Sequence, residues 1–254
     1  MIFWFRYTSL LWGVRKYFLT SQIPWHIHLL KKGRTQRKVS VKAKIRYFLI
    51  FGLFSFITYF SIQSVITTHE FNFLTSLDTS IPFVPSFIWI YHSLIPGIAV
   101  SMILLLKRKN VFLTTFFSLI LATTILGLFH ILLPSFYPRD GISVSDISTW
   151  LVALTRSIDG AHNTFPSAHV SFSWILVFAT HDSVFAKRCK WAKTAYIIWA
   201  SLISISTLTL KQHYIIDVAS GFVLAYICYF LIQRLTTNLL KENTNYIKPP
   251  EELQ

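Results

Sequence analysis

Two histidines and one aspartate have the residue types and spacing that nucleophilic or acid–base chemistry requires. His213 and Asp217 stand four residues apart in the stretch Ser206–Gly221. In a helix this spacing places both side chains on one face, where the carboxylate can accept a hydrogen bond from one imidazole nitrogen. The other nitrogen is then free to act as a nucleophile or a base. A structural polar pair at a helix end has the same spacing, so both interpretations stay open here.

The second histidine, His169, stands at the start of a predicted helix, in the segment Pro166-Ser167-Ala168-His169. Serine is a common N-cap residue, so we expect a helix to begin after Ser167. The first backbone N–H groups of a helix, here those of Ala168 and His169, have no acceptors within that helix. Such groups attract anions, phosphate among them. We therefore predict that Ser167 and Ala168 contribute to an anion site, the alternative being a Pro-Ser helix start beside a chance histidine.

The composition is that of a membrane protein rather than a soluble globule. The 254 residues are 53% hydrophobic and 13% charged, with a mean hydropathy of +0.52. Six apolar runs each approach the roughly 20 residues that a helix needs to cross a bilayer. We predict an all-α polytopic protein, a six-transmembrane-helix bundle, with spans at residues 47–66, 83–106, 111–133, 170–180 with extensions at either end, 194–210 and 214–232.

The basic residues indicate the orientation of the spans. Of the 24 Lys and Arg residues, 21 fall on the side of the amino terminus, so the positive-inside rule predicts that both termini are cytoplasmic. The predicted organisation is a basic cytoplasmic or interfacial segment over residues 1–46, a membrane catalytic domain over 47–236 and a cytoplasmic tail over 237–254. The charges lie between apolar runs and form no basic face, so we expect no nucleic-acid partner.

This topology brings the chemically active residues to one depth, at the outer boundary of the bilayer. His213 and His169 come from different spans, and the cations Arg139 and Lys211 lie on the same side as these histidines. A nucleophile, an orienting carboxylate from Asp217, a general acid and cations are the parts of a phosphoryl-transfer site.

Other polar residues carry weaker signals. We interpret His92 and His130, inside apolar spans, as core histidines or pathway residues, and Glu70 and Asp78 as loop charges. His, Cys, Asp and Glu show no metal-ligand spacing in the sequence, and there is no Gly-rich phosphate loop. The sequence therefore predicts neither a metal nor a cofactor.

Two motifs resemble signatures of the type 2 phosphatidic acid phosphatase (PAP2) superfamily. Pro166-Ser-Ala-His169 resembles its Pro-Ser-Gly-His signature, and Ser206-x6-His213-x3-Asp217 resembles its Ser-Arg-x5-His-x3-Asp signature. The segments from Leu77 to Tyr91 and from Lys211 to Asp217 are similar to the branch that includes inositol phosphorylceramide and sphingomyelin synthases.

The resemblance implies a metal-independent mechanism. In that mechanism His213 attacks phosphorus, Asp217 orients His213 and His169 protonates the leaving oxygen. The chain departs from the superfamily pattern where Thr207 replaces an arginine and Leu132 replaces a lysine. We expect Arg139, Lys211 and Arg156 to supply the missing positive charge.

The expected function is that of an integral membrane lipid phosphatase. It would hydrolyse a phosphate monoester or diphosphate of a phospholipid or polyprenyl lipid through a phosphohistidine, at the extracytoplasmic face of a bacterial inner membrane or an equivalent membrane. Two alternatives stay open. One is a phosphotransferase that moves a phospho-headgroup between lipids, and the other is a non-catalytic membrane adaptor whose polar pair only joins helices.

Overall fold

The computed structural model describes residues 38–66 and 71–245, and within these residues the chain forms helices and no strands. Residues Gln36–Asn238 form one compact unit. Most of the predicted basic segment, Glu70 and the end of the predicted tail lie outside the described residues. The helices are α1 (Val41–Val65), α2 (Ser76–Ser80), α3 (Ile88–His92), α4 (Leu94–Val100), α5 (Lys109–Leu132), α6 (Ile147–Asp159), α7 (Ala168–Asp182), α8 (Val184–Arg188), α9 (Trp191–Thr209) and α10 (Ile215–Asn245).

The protein is an all-α integral membrane protein. Four described stretches are long and apolar enough to cross a membrane: Val41–Val65, Pro85–Leu105, Lys109–Leu132 and Ile215–Asn238. The second of them joins a 3₁₀ turn, α3, α4 and a π-helical turn. The other two predicted spans correspond to α7 and α9, which are helical but do not meet the same length and hydropathy requirements. The count of six spans therefore stays a prediction.

The short helix α7 is at the centre of the bundle, which explains its weak sequence signal. It packs against α4, α5 and α9, and Phe172 and Ile175 belong to the main hydrophobic core. The hydroxyls of Ser171 and Ser173 donate to backbone carbonyls of the same helix. Because protein covers most of α7, its 15 residues need no long apolar run to be stable in a membrane.

The first helix, α1, is peripheral. Only Lys44 and Phe51 are buried in it, and it packs against α5. The Lys44 ammonium group donates a hydrogen bond to the carbonyl oxygen of Ile103, 3.1 Å away. One side of α1 is thus attached to the bundle while most of its apolar side chains remain exposed on the surface of the protein.

Three loop segments, 71–73, 134–137 and 161–165, are joined to one another by hydrogen bonds. Backbone bonds pair the first segment with the second and the second with the third. The Ser135 hydroxyl also accepts a hydrogen bond from the backbone N–H of Phe165, 3.0 Å away. These bonds connect the loop after α5 to the loop that leads into α7.

Asp78, which we interpreted as a loop charge, has a structural role. Its side chain is buried and accepts hydrogen bonds from the backbone N–H of Thr75, 2.9 Å away, and from that of Ile215, 2.7 Å away. Since Thr75 caps α2 and Ile215 is the first residue of α10, one carboxylate stabilises the starts of two helices.

The close approach of α10 to the start of α7 requires a glycine at position 221. A Cβ atom at Gly221 would lie 2.7 Å from the carbonyl oxygen of Ser167, whereas one at Gly52 would meet nothing within 4 Å. We expect Gly221→Ala to lower the free energy of unfolding by about 1–3 kcal/mol through overpacking. Thermal unfolding in detergent measures this change.

Gly52→Ala is the matched control, because both glycines are within helices. We expect it to be neutral or slightly stabilising, as alanine is the better helix former. Equal melting temperatures for the two variants would contradict the close packing of α7 and α10.

Candidate active site

His213 lies in the short loop between α9 and α10 rather than in a helix. The backbone N–H groups of Gln212 and His213 donate to the carbonyl oxygen of Thr207, at 3.0 and 3.2 Å, which closes the turn after α9. Asp217 is the third residue of α10 and accepts a hydrogen bond from the backbone N–H of Tyr214, 2.9 Å away. The predicted contact between His213 and Asp217 therefore forms. It forms across the start of α10, because His213 precedes the helix and does not share a helical face with Asp217.

The surroundings of the His213 imidazole determine which of its nitrogens carries the proton. Its Nδ1 lies 2.8 Å from the carbonyl oxygen of Thr164 and 3.2 Å from Oδ2 of Asp217. A carbonyl oxygen accepts hydrogen bonds and cannot donate them, so Nδ1 must be the donor. The neutral imidazole then has its lone pair on Nε2, which is the form that a nucleophile or general base requires.

His169 is the second residue of α7 and lies close to His213. Ser167 caps α7 and its hydroxyl accepts from the N–H of Val170. The ring of Tyr91 stacks on the imidazole of His169 with 3.9 Å between the ring centroids. The two imidazole centroids are 6.4 Å apart, a separation that leaves room for one tetrahedral group to contact both rings.

Arg139 faces a buried carboxylate that the sequence did not single out. Asp159, the last residue of α6, accepts hydrogen bonds from the hydroxyls of Tyr59 and Tyr91. Burial raises the pKa of Asp159, and the bond from Tyr59 and the charge of Arg139 act in the opposite direction. The Nε and Nη1 groups of Arg139 are buried without a hydrogen-bond partner among the described residues, so both can donate to a ligand.

These residues surround a cavity of about 390 Å³, within the size range of small-molecule sites. His169, His213, Arg139 and Asp159 line its polar end, together with Ala168. His130, which we interpreted as a core or pathway histidine, also lines it, and its Nε2 has no hydrogen-bond partner in the described part of the chain. The rest of the wall is mainly apolar and includes Phe48, Phe51, Phe56, Phe60, Ile62, Leu94, Ile95, Ile98 and Leu126.

Two predicted cations do not line this cavity. The ammonium group of Lys211 donates to the carbonyl oxygen of Asp78, 2.7 Å away. The guanidinium of Arg156 donates to the carbonyl oxygens of Asp140 and Leu210, at 3.0 and 3.1 Å. Both side chains hold loops in place, and Arg139 is the one lysine or arginine that lines the cavity among the described residues.

The sequence of this region matches a known family. The family model of the PAP2 superfamily matches residues 109–241, just over half of the chain. The chain belongs to the PAP2 superfamily. The predicted membership is thus confirmed, and PAP2 proteins are generally phosphatases or phosphotransferases. The comparison with curated proteins found no match.

The PAP2 match runs from α5 into α10 and contains Arg139, His169 and His213. The helices α1 to α4 precede the matched residues, although α1 and α4 form much of the apolar cavity wall. At the two positions where this PAP2 chain departs from the superfamily pattern, no cation reaches the cavity. Thr207 is buried with its hydroxyl donating to the Ser204 carbonyl oxygen, and the side chain of Leu132 is exposed.

No group of three His, Cys, Asp or Glu residues within 38–66 and 71–245 has the arrangement of a metal site.

Proposed function

We propose that this PAP2 protein is a six-span membrane enzyme that hydrolyses a lipid-linked phosphate monoester or diphosphate through a phosphohistidine. The observation that carries the proposal is the state of His213. Its Nδ1 donates to Thr164 and Asp217, so the lone pair of Nε2 is available in a cavity that also contains His169 and Arg139. A nucleophile, a proton donor and a cation within one cavity are the requirements of phosphoryl transfer.

In the proposed first step, Nε2 of His213 attacks phosphorus and the bond from phosphorus to the leaving oxygen breaks. His169 gives its proton to that oxygen, and the carboxylate of Asp217 stabilises the positive charge that forms on the His213 imidazole. Arg139 donates to the phosphoryl oxygens through Nε and Nη1. In the second step water attacks phosphorus, its proton passes to His169, and the bond between nitrogen and phosphorus breaks.

The shape of the cavity supports a lipid as the substrate. The phosphate-binding groups line one end, while phenylalanines of α1 and aliphatic residues of α4 line the remainder. An alkyl chain in that region would stay in apolar surroundings, as it does in the bilayer core. Several residues of α1 line the cavity, and most of α1 is otherwise exposed on the surface of the protein, where we expect bilayer lipids to contact it.

The distribution of charge supports an extracytoplasmic site with both termini in the cytoplasm. Within the sequence, 21 of 24 basic residues fall on the amino-terminal side, and the three others are Arg139, Arg156 and Lys211. The loops that carry Arg139 and His213 and the start of α7, which carries His169, fall on the opposite side in this topology. The site then acts on lipids of the outer leaflet.

A second candidate function is the transfer of a phospho-headgroup between lipids, as in the synthase branch that the sequence resembles. The scarcity of positive charge favours it. A phosphate monoester carries close to two negative charges at pH 7 and a diester carries one. The cavity offers one guanidinium, and the carboxylate of Asp159 faces that guanidinium. A single cation suits a singly charged diester better than a doubly charged monoester.

Phosphate release tests the proposal directly. We expect the purified full chain to release inorganic phosphate from phosphatidic acid or a polyprenyl diphosphate in the presence of excess chelator, because the proposed mechanism uses no metal. His213→Gln should lower the rate at least about a thousandfold, the scale expected when a nucleophile is removed. His181→Gln is the matched control, since His181 is at the other end of α7 from His169.

Four results would contradict the proposal. A wild-type rate in His213→Gln would show that His213 is not the nucleophile. Loss of activity in chelator, followed by recovery when one metal ion is added, would overturn the mechanism. If folded wild-type protein releases no phosphate but forms diacylglycerol from a phosphodiester, the second candidate function replaces the first. If the folded protein catalyses neither reaction, the non-catalytic membrane adaptor is the remaining interpretation.

Cysteine labelling tests the orientation. In a chain with Cys189→Ser and Cys228→Ser, we expect a membrane-impermeant maleimide to label Ser143→Cys in intact cells, because Ser143 is exposed in the loop before α6. The control Trp191→Cys, exposed at the start of α9, should react only after permeabilisation. The reverse pattern would place the site on the cytoplasmic side.

A further inference from the structure

Two buried carboxamides line the cavity and take no part in the mechanism above. The side chains of Gln212 and Asn163 are 2% and 6% exposed. Both line the same cavity as His213. Neither the amide nitrogen nor the oxygen of either side chain has a hydrogen-bond partner among the described residues. All four polar atoms are therefore unsatisfied within the described part of the chain.

Gln212 and Asn163 each precede one of two residues that are hydrogen-bonded to each other. Gln212 directly precedes His213, and Asn163 directly precedes Thr164, whose carbonyl oxygen accepts the hydrogen bond from His213. Their backbones are fixed, because the N–H of Gln212 donates to Thr207 and that of Asn163 to Ser135. Asn163 has φ 59°, a conformation that asparagine tolerates better than most residues.

Leaving these groups without partners is unfavourable. A buried polar group that lacks a hydrogen bond destabilises the protein, and here two side chains lack all of theirs. A ligand with matching polar groups would remove that cost when it binds. Two such side chains beside one nucleophile indicate a binding subsite.

The chemistry of the side chains indicates which ligand fits. The oxygens of an ionised phosphate only accept hydrogen bonds, and a guanidinium such as that of Arg139 only donates them. A carboxamide both donates and accepts, and so does a hydroxyl group. We propose that Gln212 and Asn163 form a subsite for the hydroxyl groups of an alcohol bound beside the phosphoryl group. This inference rests on the proposed phosphoryl transfer at His213.

The alcohol can have either of two places in the reaction. As the leaving group it is already esterified to phosphorus, and its bridging oxygen takes the proton of His169 when the bond to phosphorus breaks. As the acceptor it replaces water, so that its oxygen attacks phosphorus, the bond from phosphorus to Nε2 of His213 breaks and its proton passes to His169. The two arms of the test distinguish these places.

The first arm measures binding without turnover. In the full chain with His213→Gln, we expect phosphatidylglycerol to bind at least about tenfold more tightly than phosphatidylpropanol with the same acyl chains, a difference of about 1.4 kcal/mol. Gln212→Met, which keeps the length of the side chain but loses its amide, should reduce this preference to threefold or less. Asn163→Asp loses one donor while tolerating the same backbone conformation and should also reduce it.

The second arm measures the acceptor. With wild-type protein and phosphatidic acid, we compare phosphoglycerol with propyl phosphate at equal concentrations of glycerol and 1-propanol. A preference for glycerol of tenfold or more assigns the subsite to the acceptor. If the tenfold preference for the glycerol compound occurs in the binding arm alone, the subsite is assigned to the leaving group. Gln233→Met is the control in both arms, because Gln233 binds Asp182 at the other end of α7 from His169.

The subsite is excluded if wild-type protein shows no glycerol preference in the second arm and the His213→Gln chain binds both lipids equally. It is also excluded if Gln212→Met and Asn163→Asp both retain the full preference. The carboxamides would then bind water or phosphoryl oxygens. Selective binding in the first arm without any turnover of wild-type protein would instead preserve the subsite and reject the proposed function.

Discussion

The hydrogen bonds of the His213 Nδ1 atom are the interaction on which the rest of the site depends. They join the loop before α10 to the carbonyl oxygen of Thr164, in the loop before α7, and to Asp217 in the first turn of α10. Each partner is itself fixed. The Thr164 hydroxyl contacts that of Ser135, and Asp217 binds the N–H of Tyr214. The tautomer of one imidazole thus depends on three separate parts of the chain.

A second network sets the environment of the other histidine. The carboxylate of Asp159 accepts from the hydroxyls of Tyr59 and Tyr91, while the ring of Tyr91 stacks on His169. Arg139 faces the same carboxylate. The position of the His169 imidazole and the charge near the Arg139 guanidinium are therefore linked through one buried acid. A substitution of Asp159 would affect both residues.

The parts of the site that could be predicted from sequence are those with short-range signals. The spacing of His213 and Asp217 and the Pro-Ser start before His169 identified three residues that the structure brings together. The reason for the first contact was wrong, because His213 precedes the helix. Asp159, Tyr59 and Tyr91 gave no signal, since they are far apart in sequence and meet only when α1, α3 and α6 pack. Lys211 was predicted as a binding residue from its charge. Its ammonium group donates to the carbonyl oxygen of Asp78 in α2, and its role in binding stays a prediction.

In the fold, too, the features with a local sequence signal could be predicted and those that depend on packing could not. Four predicted spans have the apolar length that hydropathy detects. In contrast, α7 is stabilised by neighbouring helices, and these contacts cannot be recognised from its short apolar run. The cavity could not be predicted at all, because its walls come from helices both inside and outside the PAP2 match.

The most direct test of this account is to trap the covalent intermediate. Protein mixed with a lipid substrate labelled in the transferable phosphoryl group, and quenched in base, should carry the label on a nitrogen of His213. Asp217→Asn should accumulate less of it, because the carboxylate that stabilises the charged imidazole is lost. Label on another residue, or turnover without any label under conditions that preserve phosphohistidine, would contradict the assignment of His213 as the nucleophile.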